Sequence, residues 1–155
     1  MKGKQNIIDG LNALLAFELA AMDQYFIHSQ MYQDWGLNKL YERISHEFDD
    51  EKGHATKLIE RMLFLEGLPN MVNRDGLSIG NDVPAMLASD LRVEYAVANL
   101  LKETIALCES EQDYVTRDML MVLLDDTEMD HAYWLEQQLG LISRLGLSNY
   151  LQSQM

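Results

Sequence analysis

Glutamate and histidine stand three residues apart twice in this chain, as Glu51-Lys52-Gly53-His54 and as Glu128-Met129-Asp130-His131. Residues i and i+3 share a face of an α-helix, so each pair can aim a carboxylate and an imidazole at one point. Oxygen ligands combined with imidazole nitrogen suit iron, and manganese less well. One Glu-x-x-His on a helix is ordinarily a solvated pair. Two copies, each inside an apolar helical pattern, are far more specific.

Four helical stripes surround these pairs. The first reads Leu11, Leu14, Glu18, Met22 and Tyr25. The second reads Ile44, Phe48, Glu51, His54 or Ala55, Leu58, Met62 and Leu65. The third is Leu87, Leu91, Glu94, Val97, Leu101 and Ile105, and the fourth is Met121, Leu124, Glu128, His131, Leu135, Leu139 and Ile142. Each stripe is apolar except near its middle. A buried, unpaired carboxylate costs several kcal/mol, and a domain's whole stability is about 5–15 kcal/mol. No Lys or Arg lies on these stripes to neutralise Glu18, Glu51, Glu94 and Glu128. Two divalent cations would balance four carboxylates, and two neutral imidazoles would complete the ligand set.

The elements that must position these groups are all helical. Leu, Ala, Met, Glu and Gln abound, and only two prolines occur, so the prior is all-α. Helices are expected over about Ile7–Trp35, Lys39–Glu66, Pro84–Glu111 and Tyr114–Leu145, with a short fifth helix in LSNYLQSQ. Gly36 is the expected C-cap of the first helix and Asn38 the N-cap of the second. Gly67 should end the second, with Pro69 just beyond, and Pro84 suits a first helical turn. Short links make helices one and two, and three and four, antiparallel hairpins. The stretch GLPNMVNRDGLSIGNDV between the hairpins can run the length of a helix of about 42 Å. The expected architecture is a four-helix bundle with one long crossover.

The 155 residues, 48 % of them apolar, suit one domain with a hydrophobic core over 1–155. The net charge of −13 disfavours nucleic acid and anionic membranes and attracts cations. The one cysteine, Cys108, cannot form an internal disulfide and reads as a buried hydrophobe. No apolar run reaches about 18 residues, and the N-terminus lacks a signal-peptide pattern. A cytoplasmic protein is expected.

The blocks LNALLAFELAAMDQYFIHSQMYQDWGL, IERMLFLEGLPN, DYVTRDML and LGLSNYLQSQ resemble the bacterioferritins, over essentially the whole chain. The resemblance implies a ferritin-like bundle that acts as a ferroxidase. Such a protein oxidises Fe(II) with dioxygen or peroxide at an intrasubunit di-iron centre and stores ferric mineral in a hollow shell of 24 subunits. Carried over residue by residue, the ligands are Glu18, Glu51, His54, Glu94, Glu128 and His131, with Glu51 and Glu128 bridging and Glu18 and Glu94 terminal. Tyr25 resembles a tyrosine beside that centre. His46 and Asp50 resemble an inner-surface iron site, and Asn149 and Gln152 resemble residues lining a four-fold pore.

Lys52 departs from the pattern. The family binds haem b between two subunits through a methionine at this position, and no methionine occurs between Met31 and Met62. The chain therefore resembles the subunit type that lacks the haem ligand. The resemblance also suggests a ferredoxin as reductant and a haem-binding bacterioferritin chain as partner in a mixed shell. The alternatives are such a mixed-shell subunit, or a di-iron or manganese oxidase or peroxidase without storage.

Overall fold

Two turns fold the chain into hairpins. Helix α1 (Gln5–Asp34) ends at Trp35, and Gly36 follows at φ 74°, a left-handed conformation that suits glycine. Helix α2 (Asn38–Phe64) starts directly afterwards. Asn38 is its first helical residue and makes no side-chain cap; the cap position belongs to Leu37. At the far end of α2 the left-handed residue is Glu66, at φ 62°, not Gly67. Gly67 is required for space: a Cβ there would lie 2.8 Å from Cγ2 of Ile8. Helix α3 (Val83–Ser110) begins with Pro84 in its first turn and with the Asp82 carboxylate accepting from the Ala85 N–H at 2.8 Å.

The expected fourth helix is three pieces end to end: α4 (Tyr114–Asp125), a π-helical segment (Asp126–Ala132) and α5 (Tyr133–Leu145). The short helix α6 (Leu147–Ser153) follows Gly146. The computed structural model describes residues 1–155. They form an all-α four-helix bundle with a long crossover between α2 and α3 and a short C-terminal helix.

Side chains of α1 and α3 tack the crossover down. Asn12 accepts from the Asn70 N–H and donates to the Leu68 carbonyl. Gln24 accepts from the Ser78 N–H and donates to Asp90. His28 lies with Nδ1 at 2.9 Å from Asp90, and its Nε2 accepts from the Gly80 N–H. These contacts satisfy backbone groups that a strap without regular structure would otherwise leave unpaired.

The bundle core has two apolar halves. One holds Leu11, Leu14, Leu58, Met62, Leu101 and Leu123. The other holds Tyr25, Leu40, Ile44, Leu87, Leu135 and Tyr150. Between them lies a belt of buried acids and histidines.

Candidate metal centre

Each long element delivers part of this belt. Helix α1 contributes Glu18, α2 contributes Glu51 and His54, α3 contributes Glu94, and the π segment contributes His131; all five are at most 3 % exposed. His54 Nδ1 lies 3.6 Å from Glu18 Oε2 and 3.4 Å from Glu51 Oε2. His131 Nδ1 lies 2.9 Å from Glu51 Oε1 and 3.3 Å from Glu94 Oε1. Three groups of potential metal ligands result: Glu18/Glu51/His54 and Glu51/Glu94/His131, which share Glu51, and Glu47/Asp50/Asp130/His131 on the outer side of the His131 ring. Each Glu51 oxygen faces a different histidine. The imidazole rings are nearly parallel, with centroids 5.7 Å apart and planes 19° apart.

The electrostatics are those of a cation site. Both Glu18 oxygens, one oxygen each of Glu51 and Glu94, and Nδ1 of both histidines are buried with no hydrogen-bond partner. Buried polar groups are nearly always satisfied, and these atoms converge. Burial pushes the Glu18 carboxyl well above its usual range, and the neighbouring Glu51 adds to the rise. Burial also raises Glu94, against the lowering effect of His131 and Tyr25. For His54, burial favours the neutral ring, but Glu18 and Glu51 outweigh it and push the pKa up to about 11. His131 is raised in the same way, with Glu47, Glu51 and Glu94 overcoming burial. Protonated histidines thus balance the acids in the metal-free protein.

The structure does not bring Glu128 to this cluster, against the sequence expectation. Its side chain is 41 % exposed and pairs with Lys102 at 2.9 Å. Thr127 is buried in its place and donates to the Leu123 carbonyl. The cause is the π turn. An α-helix advances 100° per residue, whereas a π-helix advances about 80°. Glu128 and His131, three residues apart, therefore diverge, and Thr127, four before His131, shares its face. The inward stripe through α4 and the π segment is accordingly Leu120, Leu123 and Thr127, whereas Met121 is exposed.

Several neighbours were not legible as site residues. Glu47, buried at 2 %, sits 2.6 Å from His131 Nε2 and 2.5 Å from Arg43 Nε. Arg43 also pairs with Asp130 at 2.8 Å. Asp126 lies 3.1 Å from His54 Nε2. The Arg43/Glu47 spacing of four was the available signal for the first pair; the π turn hid Asp126. Gln24, His28 and Asp90 fall on the inward faces of α1 and α3 and were recoverable from periodicity.

The remaining expected residues are placed as follows. Tyr25 is buried and donates a hydrogen bond to Glu94; burial first, then Glu94, raises its pKa and keeps it protonated. His46 and Asp50 lie 3.4 Å apart on the surface of α2. Asp50 also approaches His131 Nε2 at 3.2 Å. Lys52 is exposed on α2, and Asn149 and Gln152 are exposed on α6.

No helix is long and apolar enough to cross a membrane. The ferritin-like domain family matches residues 8–145. A protein named bacterial ferritin from Synechocystis sp. is 61 % identical over 100 % of this chain and 99 % of the relative. A bacterial ferritin from Pseudomonas aeruginosa is 58 % identical over 99 % of both chains. A bacterioferritin from Brucella melitensis is 38 % identical over 98 % of this chain and 94 % of that relative. A bundle with buried carboxylates and histidines at its middle, matched nearly end to end by these relatives, belongs to the ferritin family.

Proposed function

We propose that this protein stores iron as a ferroxidase, oxidising Fe(II) to Fe(III) at a two-iron centre and depositing the product inside a hollow shell of 24 subunits in the cytoplasm. Iron is the substrate. One ion is held by Glu18, Glu51 and His54, and the other by Glu51, Glu94 and His131. Glu51 spans the two because its oxygens face different histidines. The observation that carries this reading is the set of buried, partnerless atoms on all five residues, which a pair of cations would satisfy. Carboxylate oxygen and imidazole nitrogen are donors suited to iron.

The chain's own groups prepare the site. Tyr25 donates to Glu94 and fixes its orientation. Each Fe(II) that enters displaces a proton from an imidazole Nδ1, so binding is coupled to proton release. Bound side by side, two ferrous ions present both electrons to one oxidant, dioxygen or peroxide. Lys52 leaves the homomer without a haem ligand at the position where bacterioferritins carry methionine.

The test is anaerobic Fe(II) titration of the assembled protein, followed by oxygen. Two ions per chain oxidised in a fast phase, then hundreds per shell taken up slowly, support storage. Uptake that stops at two per chain would replace storage with a discrete di-iron redox enzyme.

A further inference from the structure

The two ligand histidines share an arrangement that the metal centre alone does not require. In each, Nδ1 faces the candidate metal position and Nε2 faces a carboxylate outside it. For His131 that carboxylate is Glu47, at 2.6 Å, with Asp50 at 3.2 Å. For His54 it is Asp126, at 3.1 Å. Glu47 is buried and already paired with Arg43, so removing it would break a second ion pair along with the contact to His131. Asp126 is half exposed, and its removal takes away only the acceptor at His54 Nε2.

The π turn places Asp126 there. Asp126 and His131 are five residues apart, about one π-helical repeat, so they lie on one face. In an α-helix, five steps would set them about 140° apart. The same turn that carries Glu128 out to Lys102 therefore brings Asp126 against His54. The segment exchanges one carboxylate for another, and the second serves differently. Asp126 meets the far side of a ligand ring, not the space between Glu18 and Glu51.

We propose that Asp126 is a positioning residue for His54: it accepts a hydrogen bond from Nε2–H and so holds Nδ1 toward the metal shared with Glu18 and Glu51. The proposal rests on the metal centre described above. A neutral imidazole carries one N–H, and an acceptor at Nε2 decides that the proton sits there. The bond also fixes the ring's rotation, so Nδ1 points at the cluster when a cation arrives. Outer carboxylates of this kind typically govern affinity 10–100-fold.

The experiment is anaerobic Co(II) titration of the assembled protein by calorimetry and by visible absorbance, with Asp126→Ala and Asp126→Asn. Wild type binds two Co(II) per chain. Asp126→Ala weakens one of the two sites by about 10–100-fold. Asp126→Asn recovers most of that loss, because its amide oxygen still accepts from Nε2–H. In a His54→Ala background, Asp126→Ala changes nothing further, since the ring it positions is gone. A fold-wide structural effect would persist in that background. Two sites of wild-type affinity in Asp126→Ala would overturn the proposal, as would equal losses in the Ala and Asn variants or an undiminished loss without His54. Failure of the wild type to bind two Co(II) would instead overturn the metal centre itself.

Discussion

Replacing Glu128 by alanine separates the α-helical reading of the second Glu-x-x-His from the π-helical structure. Glu128 is 41 % exposed and Lys102 is 57 % exposed, with their charges 2.9 Å apart. An exposed pair like this contributes about 0–1 kcal/mol, so Glu128→Ala should lower the melting temperature by no more than roughly 4 °C. Its effect on metal binding should be within a factor of two or so, because the Nδ1 atoms face Glu18, Glu51 and Glu94 and not Glu128. Glu94→Ala is the matched control. Glu94 is 1 % exposed, is held by Tyr25 and lies 3.3 Å from His131 Nδ1. Outer-shell partners alone are worth about 10–100-fold in affinity, so loss of a direct ligand should cost more than about 100-fold at one site. Anaerobic Co(II) calorimetry on the two variants reads this directly, and stopped-flow Fe(II) oxidation should follow the same order. Loss of a site in Glu128→Ala, with wild-type binding in Glu94→Ala, would refute the reasoning: the π turn would then not be the register that meets the metal.

Three further outcomes follow from the same geometry. In the metal-free protein the His54 pKa, raised to about 11 chiefly by Glu18 and Glu51 against burial, contributes stability that is full below the unfolded value of about 6.5 and is lost as pH rises through 11. Divalent-metal affinity should therefore rise with pH, by up to tenfold per unit for each proton displaced, and calorimetry in buffers of different ionisation enthalpy should count that release. His46→Ala should slow mineral growth while sparing the first two-iron oxidation, because His46 pairs with Asp50 on the surface and does not enter the cluster; loss of the fast phase would move His46 into the centre. The homomer should assemble without stoichiometric haem, and Lys52→Met should raise the Soret absorbance, since a thioether is a neutral soft ligand and an ammonium group offers iron no lone pair. One haem per subunit pair, unaffected by that change, would mean that another residue serves as ligand.

The bundle was legible because its signals repeat along whole helices. Gly36, Pro69 and Pro84 mark three boundaries, and the polar interruptions at Glu18, Glu51/His54 and Glu94 fall where apolar stripes of ordinary period cross the belt. The fourth helix was not legible because its sequence supports two registers. Leu120 and Met121 are both apolar, and so are Leu123 and Leu124, so the stripe can be drawn through either set. Counting back from His131 by α-helical steps selects Met121, Leu124 and Glu128. The structure buries Leu120, Leu123 and Thr127. The signal that favoured the second register is Thr127: an uncharged residue is easier to bury than Glu128, and its hydroxyl can be satisfied by the Leu123 carbonyl four residues back. Asp126, Glu47 and Arg43 stayed hidden for a related reason. They act at the far side of the histidine rings, and helical spacing says nothing about which ring nitrogen a neighbour will meet.

The belt weakens the empty protein, and that weakness has a use. Glu18 is fully buried with both oxygens unpaired, and burial, then Glu51, raises its carboxyl pKa. With the folded value above the unfolded one, this group draws stability down as pH rises past the unfolded carboxyl range. Leucine at the same position would avoid that loss. The protonated histidines offset part of it, because each places positive charge between two acids when no cation is present. On the proposed function, the centre binds ferrous ions, oxidises them and releases the product, and so passes repeatedly through its empty state. Balancing that state with protons on His54 and His131 keeps the buried acids tolerable without filling the space a metal needs. Protons are displaced by an incoming dication and restored when the product leaves. A buried lysine or arginine among the ligands would balance the empty state better and would oppose every entry. Arg43 stays clear of that space: it pairs with Glu47 and Asp130 beyond His131, where it fixes the outer carboxylate and leaves the inner ligands free.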